Sequence, residues 1–289
     1  MGEKAITVDK QIKKLKDRNM IMDWGDNKAR EVLLDIGYYR LGFYWHPFET
    51  NNKHKLSVGT KFSDVVKLYY LDVDLKHILL KALNRIEINF KTKIIYFVSN
   101  YYDKNPIWFA DKKIVSKSFV QGFHKVYNNN FINNNKPIKK HHRKHPNDIY
   151  APAWKTLEFI TFGSVIKLYL SLYNNDLKKV IANKYDIESL SVFHNYLNTI
   201  LFIRNICAHS DLLYDSHTPL GIKSTPMIPI TQKKRHSLSS SIKIICYFLE
   251  KISKKRSVEI NEEIENLFHS FIDNKKIKHI ISHKIGFEF

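Results

Sequence analysis

The sequence predicts an all-α fold, a helical bundle, on three observations. Apolar residues recur at three- and four-residue spacing through 62–98 and again through 190–208. No run of alternating apolar and polar residues is long enough to make a useful strand. Hydrophobic residues make up 44% of the chain and aromatics 13%, with only nine Gly and eight Pro, a composition that disordered chains lack.

The 289 residues allow one large domain or two modest ones. We divide the chain into an N-terminal segment, 1–60, packed on the core, and a helical domain, 61–289, that carries a basic loop at 127–148 and a Pro-rich loop at 215–237.

Residues 8–36 space Val8, Ile12, Leu15, Val32, Leu33 and Ile36 among charges and read as two short helices broken near "WGDN". The next stretch, "IGYYRLGFYWHPFE" at 36–49, is dense in aromatics and interrupted by Gly37, Gly42 and Pro47, which points to a packed turn instead of a helix. Leu75, Leu79, Leu83, Ile86, Phe90, Ile94 and Phe97 then follow one another at intervals of four, four, three, four, four and three, the pattern of one long amphipathic helix. More helix is expected around Trp108, Phe109, Phe119 and Phe123. The stretch "NNNFINNNKPIKKHHRKHPND" at 128–148 is so poor in apolar residues that it reads as an exposed, mobile loop. Helical spacing resumes through Trp154, Leu157, Ile160, Ile166 and Leu170, and again from Leu190 to Ala208. A loop with three prolines occupies 217–237, before helices near 238–253 and 259–271.

Forty-seven Lys and Arg against 28 Asp and Glu give a formal charge of +19, so a polyanion is the natural partner. RNA fits this better than a membrane surface, because no terminal basic amphipathic helix or lipidation signal is present. Neither a signal-peptide core nor an apolar run of about 18 to 20 residues is found, so a cytoplasmic protein is expected. Cys207 and Cys246 form no CxxC pair and read as buried small hydrophobes.

Within "FIRNICAHSD" at 202–211, Arg204, Asn205 and His209 interrupt one of the most apolar stretches of the chain. On a helix Asn205 and His209 share a face, while Arg204 continues the stripe of Leu197, Ile200, Leu201 and Ala208. A guanidinium there needs an anion, and two readings stand: a carboxylate of the protein, or a phosphate held in a cleft. Arg40 and His46 form a similar Arg-to-His pair, six positions apart against five, but Gly42 and Pro47 argue against their sharing a helix.

The Arg-Asn-Ile-Cys-Ala-His stretch resembles the R-x4-6-H motif of HEPN-superfamily ribonucleases. Around it, "DIGYYRLGFYWHPFE", "FSDVVKLYYLDVDLKHILLKALNRIEINFKTKI" and "PAWKTLEFITFGSVIKLYLSL" precede "RNICAH" in an order that resembles the Abi-like family of bacterial abortive-infection proteins, of the AbiD/AbiF type, over roughly 30–215. The resemblance implies an all-helical fold with a HEPN-like core, a role in phage defence, and metal-independent RNA cleavage by a homodimer that brings two motifs together. The chain departs from the family after the motif: Ser210, Asp211, Leu212, Leu213, Tyr214 and Asp215 stand where a second His, a basic residue and Leu-Trp-Asn are usual.

RNA supplies its own nucleophile, the 2′-hydroxyl, so cleavage needs a proton acceptor, a proton donor and charge stabilisation at phosphorus. In this scheme His209 transfers protons, as an imidazole with a reference pKa of about 6.5 can do at neutral pH. Arg204 holds the non-bridging oxygens, and Asn205 orients the imidazole or the phosphate. No metal or cofactor enters it. Arg85 and Glu87, in "NRIEIN", are accessory candidates: Glu87 either partners Arg204 or forms a solvated i,i+4 pair with Lys91. Lys136, Lys139, Lys140, His141, His142, Arg143 and Lys144 are the expected RNA contacts of the basic loop, where inert solvation or metal binding by His141, His142 and His145 are the other readings. Tyr38, Tyr39, Tyr44 and Trp45 either stack bases or pack the aromatic turn. The expected activity is an RNA endonuclease toxin held in check by an inhibitor that is itself RNA. The alternative is a non-catalytic protein that forms a stable particle with one structured non-coding RNA.

Overall fold

The computed structural model describes residues 4–50 and 54–289, so positions 1–3 and 51–53 of the expected N-terminal segment lie outside the described residues. The regular structure among the described residues is all helical, with only isolated bridge pairs such as Ile21 with Lys61 and no sheet. The helices are α1 (Val8–Asp17), α2 (Gly25–Asp35), α3 (Tyr38–Trp45), α4 (Phe62–Tyr101), α5 (Lys117–Val126), α6 (Asn129–Asn134), α7 (Lys136–Lys144), α8 (Ala153–Thr156), α9 (Phe162–Ser171), α10 (Asn175–Asn183), α11 (Leu190–Ala208), α12 (Leu238–Ile252), α13 (Lys254–His269) and α14 (Lys275–Ile280).

The long helix α4 runs for 40 residues and is the spine of the fold. Leu71, Leu75, Leu79, Leu83, Ile86, Phe90, Ile94 and Val98 are fully buried along it. Each such side chain contributes about 1.5 to 3 kcal/mol by leaving water, which is why α3, α9, α11, α12 and α13 all pack on this one helix. Rings fill its middle: Phe90 contacts Phe162 of α9 and Phe193 of α11, and Phe193 stacks on Phe248 of α12. Ser189 and Ser237 start α11 and α12 by accepting the N–H of Val192 and of Ser240 on their side-chain oxygens. Cys207 and Cys246 are buried, and burial pushes both thiols up to about 12, so neither is a nucleophile at neutral pH.

The aromatic stretch after Gly37 is a helix, not a turn. Gly37 takes φ 92°, open to glycine at little cost, and α3 begins at the next residue. Gly42 lies inside the helix and Pro47 just beyond it, in a 3-10 turn that spans His46–Phe48. Pro47 has no N–H to give to the Phe43 carbonyl four residues back, and the Tyr214 hydroxyl donates to that carbonyl instead, at 2.8 Å. The compensation comes from a residue 171 positions away, beyond the reach of local reading.

Residues 128–148 are likewise not a mobile loop. Asn128 caps α6, Pro137 sits in the first turn of α7, and Ile138 is fully buried. The helical spacing of Trp154 to Leu170 is interrupted: α8 passes into a 3-10 turn at Leu157–Phe159, Ile160 is extended, and Thr161 caps α9. Trp154 is exposed as a result. The Pro-rich loop at 215–237 has no α-helix but buries Ile222 completely.

At the heart of the molecule Asp72 is fully buried and fully satisfied. Its carboxylate accepts the Tyr44 hydroxyl at 2.8 Å, the Tyr214 N–H at 2.6 Å and the Leu213 N–H at 3.2 Å, and pairs with Lys76 at 2.7 Å. Burial, with the Asp72 charge second, drives the Tyr44 phenol far above its ordinary range, so it stays a donor. Replacing Asp72 with Ala should therefore cost about 3 to 5 kcal/mol of unfolding free energy in a urea titration, because Lys76 and three donors lose their acceptor. Asp72→Leu combined with Lys76→Met should recover only part of that loss, since no charge is then buried but the donors stay unmet.

Candidate functional site

The segment 202–209 is apolar because α11 is buried, and its polar residues appear where the helix surfaces. Ile203 and Ile206 are core, Arg204 is half-buried, and Asn205 and His209 are exposed. His209 is the C-terminal cap. Ser210 turns into the left-handed region at φ 56°, and the Asp211 N–H reaches back to the Ile206 carbonyl at 3.1 Å, which closes the helix.

Arg204 finds its anion within the protein. Its Nε lies 3.4 Å from Glu87 of α4, out of line for a hydrogen bond, so the contact is an ion pair. Glu87 also pairs with Lys91 at 2.9 Å, and Lys91 approaches the Glu158 carbonyl at 3.4 Å. Glu87 thus meets both expected partners at once, although its pair with Lys91 is largely buried and not solvated: one carboxylate lies between two cations, with a net charge of +1 across the three. Five residues along a helix turn the direction by about 140°, so Arg204 points toward α4 while His209 stands on another side with Asn205. Arg85 is exposed and makes no ion pair among the described residues.

A guanidinium does stand at the His209 end of the helix, and it comes from α3. Arg40 Nη1 donates to the Ser210 carbonyl at 3.0 Å. Sequence reading set this residue aside with the supposed turn. Asp72 and Lys76, which position the segment after the motif, were not singled out either, although an i,i+4 acid–Lys pair within the apolar pattern of "YLDVDLKHILL" is a signal that could have found them. Along α3 a groove of about 380 Å³ is lined by Tyr39, Phe43, His46, Leu212 and Tyr214, with Arg40 outside its lining. Tyr44 and Trp45 are buried and pack α3, whereas Tyr39 is 82% exposed.

Of the expected RNA contacts on 136–144, the structure separates the histidines from the cations. His141 is buried, with Nε2 2.9 Å from Asp148, and His142 Nε2 bonds the Tyr127 hydroxyl at 2.8 Å. Lys136, Lys140, Arg143 and Lys144 are exposed, Lys139 less so. Helix α7 packs on α6 and α8. No group of three or more His, Cys, Asp or Glu among the described residues is placed to hold a metal ion, and none of their helices is long and apolar enough to cross a membrane.

Burial lowers the His141 pKa against the opposing pull of Asp148. A histidine whose folded pKa lies below its unfolded value of about 6.5 contributes stability above that value and loses it as pH falls through the folded pKa. The thermal midpoint should therefore fall on acidification below about pH 6.5, and less steeply in His141→Gln than in the parent; equal slopes would remove His141 as the titrating group.

Comparison with curated proteins and with solved structures gives no match. Comparison with protein families does: the model for "Abi-like protein" matches residues 31–215, a span that opens within α2, includes the whole of α3, α4 and α11, and closes on the segment bound to Asp72. By that match the chain belongs to the Abi-like protein family.

Proposed function

We propose that this chain is a metal-independent RNA endonuclease acting in defence against phage. The observation that carries the reading is the exposed Asn205–His209 face at the end of an otherwise buried helix, in a chain of charge +19. A solvent-facing imidazole beside an amide, with the Arg40 guanidinium on the carbonyl of the next residue, suits what transesterification of RNA asks of a protein. Membership of the Abi-like family supports the biological setting.

In the proposed reaction the 2′-oxygen attacks phosphorus and the bond to the 5′-oxygen breaks. His209 takes the 2′-hydroxyl proton, and a second proton goes to the leaving 5′-oxygen, so the ends are a 2′,3′-cyclic phosphate and a 5′-hydroxyl. Asn205, one turn away, orients the imidazole. Arg204 anchors the motif to α4 through Glu87. One imidazole per motif leaves the second proton without a donor, which a homodimer with two His209 side chains supplies. Exposed Lys136, Lys140, Arg143 and Lys144 add charge for the RNA backbone, and an RNA inhibitor holds the toxin in check by occupying the same surface.

One observation favours the alternative of a non-catalytic ribonucleoprotein component: the motif's own arginine is engaged by Glu87 instead of standing free.

Incubation with cellular RNA in EDTA separates the two. Cleavage by the parent that His209→Ala lowers by at least about 10²-fold, with RNA affinity and thermal midpoint unchanged, supports the nuclease; uncut RNA bound tightly by both proteins, or 3′-hydroxyl ends, overturns it. Light scattering of the active protein should give twice the mass of one chain, and a strictly monomeric active species would remove the shared site.

A further inference from the structure

The cleavage reading leaves the phosphate charge without a partner inside one chain, since Arg204 is held by Glu87 and turned toward α4. We propose that Arg40 is the phosphate-binding guanidinium of the site, and that Arg204 is a positioning residue. The inference rests on the reading of His209 as the proton-transfer group.

Four observations lead to it. First, Arg40 meets the residue that follows His209: its Nη1 donates to the Ser210 carbonyl across 170 positions of sequence. Secondly, Arg40 is exposed and has no carboxylate within ion-pair distance among the described residues. A guanidinium has five N–H donors, and the Ser210 bond uses one. The two acids that line this groove have partners, Glu49 with His46 at 3.2 Å and His54 at 3.5 Å, and Asp215 with Lys284 at 3.1 Å, while Asp211, next to Ser210, is exposed and makes no ion pair among the described residues.

Thirdly, Arg40 is held in place by the anchoring of its helix. Leu41 is fully buried, the Tyr44 hydroxyl is bound to Asp72, and the Phe43 carbonyl receives the Tyr214 hydroxyl. The same Asp72 holds the N–H groups of Leu213 and Tyr214, so α3 and the chain just past His209 are fastened to one carboxylate. Fourthly, Tyr39 and Phe43, the neighbours of Arg40 along and around α3, are exposed and meet edge to face at 5.3 Å. A base attached to a phosphate at Arg40 can stack there, which specifies single-stranded RNA as the ligand.

Arg40→Gln tests the assignment, because the amide can still donate to the Ser210 carbonyl while the charge is gone. The probes are a single-stranded RNA for cleavage and its 2′-O-methyl analogue, which cannot react, for binding at a series of salt concentrations. We expect Arg40→Gln to lower kcat/KM by about 10²-fold or more, to make the plot of log affinity against log salt shallower by about 0.7, and to leave the thermal midpoint close to the parent's. Arg40→Lys should restore the salt slope and only part of the rate, since a lysine replaces the charge but not the planar fork. Arg204→Gln should lower the thermal midpoint and leave the salt slope as it is. An unchanged slope in Arg40→Gln overturns the proposal, and if cleavage and thermal midpoint both fall with it, Arg40 is only a clamp on the end of α11. A parent that binds but cuts no RNA would end the nuclease reading, whereas the slope would still decide whether Arg40 holds a phosphate.

Discussion

Everything around the candidate site depends on a carboxylate buried without access to water. An ionised Asp72 in the interior is tolerable only when nearly all its acceptor capacity is used. The partners that use it come from three separate places: Tyr44 of α3, Lys76 one turn along α4, and the backbone of Leu213 and Tyr214. The requirement to satisfy one charge thus becomes a requirement on topology. Helix α3 and the chain beyond α11 must both reach the same point on α4, and in doing so they bring Arg40 to the carbonyl of Ser210, the residue after His209.

Positive charge is distributed differently at the two ends of the motif. Toward the middle of α11, Arg204 and Lys91 share Glu87, and the cluster is half-buried. Partial burial strengthens that attraction relative to a surface pair, and it fixes the register of α11 on α4. At the exposed end Arg40 makes no ion pair among the described residues, which leaves it free to meet an anion from outside. Rigidity and binding are assigned to different arginines, although the motif's spacing by itself suggests one arginine for both.

The parts of the fold that were legible in the sequence are those whose cause is local and periodic. Leu75 to Phe97 declare a helix with one buried face, and Leu190 to Ala208 declare another, because 3.6-residue periodicity needs no knowledge of the partner. The pairing of Glu87 with Arg204 was also within reach, since a guanidinium in an apolar stripe demands an acid. What was not legible depends on distant residues. Pro47 reads as the end of any helix until Tyr214 supplies a donor to the Phe43 carbonyl. The polar run at 128–148 reads as loop until Ile138, Tyr127 and Asp148 show where its few anchoring contacts go. Asp72 is one acid among several on α4 until three partners from elsewhere converge on it.

The end of α11 shows how these constraints act as one exchange of hydrogen bonds. Were the helix to continue past His209, the N–H of Leu213 would bond the His209 carbonyl and that of Tyr214 the Ser210 carbonyl. Ser210 instead adopts φ 56°, at a cost of about 1 to 3 kcal/mol for a residue with a side chain. The turn sends both N–H groups to Asp72, where a buried charge makes each bond stronger than its helical counterpart. The Ser210 carbonyl released by that exchange receives Arg40. The strained turn, the buried acid and the arginine beside His209 are therefore parts of one arrangement: a helix that ran on at Ser210 would leave Asp72 short of two donors and Arg40 without the carbonyl that holds it at the site.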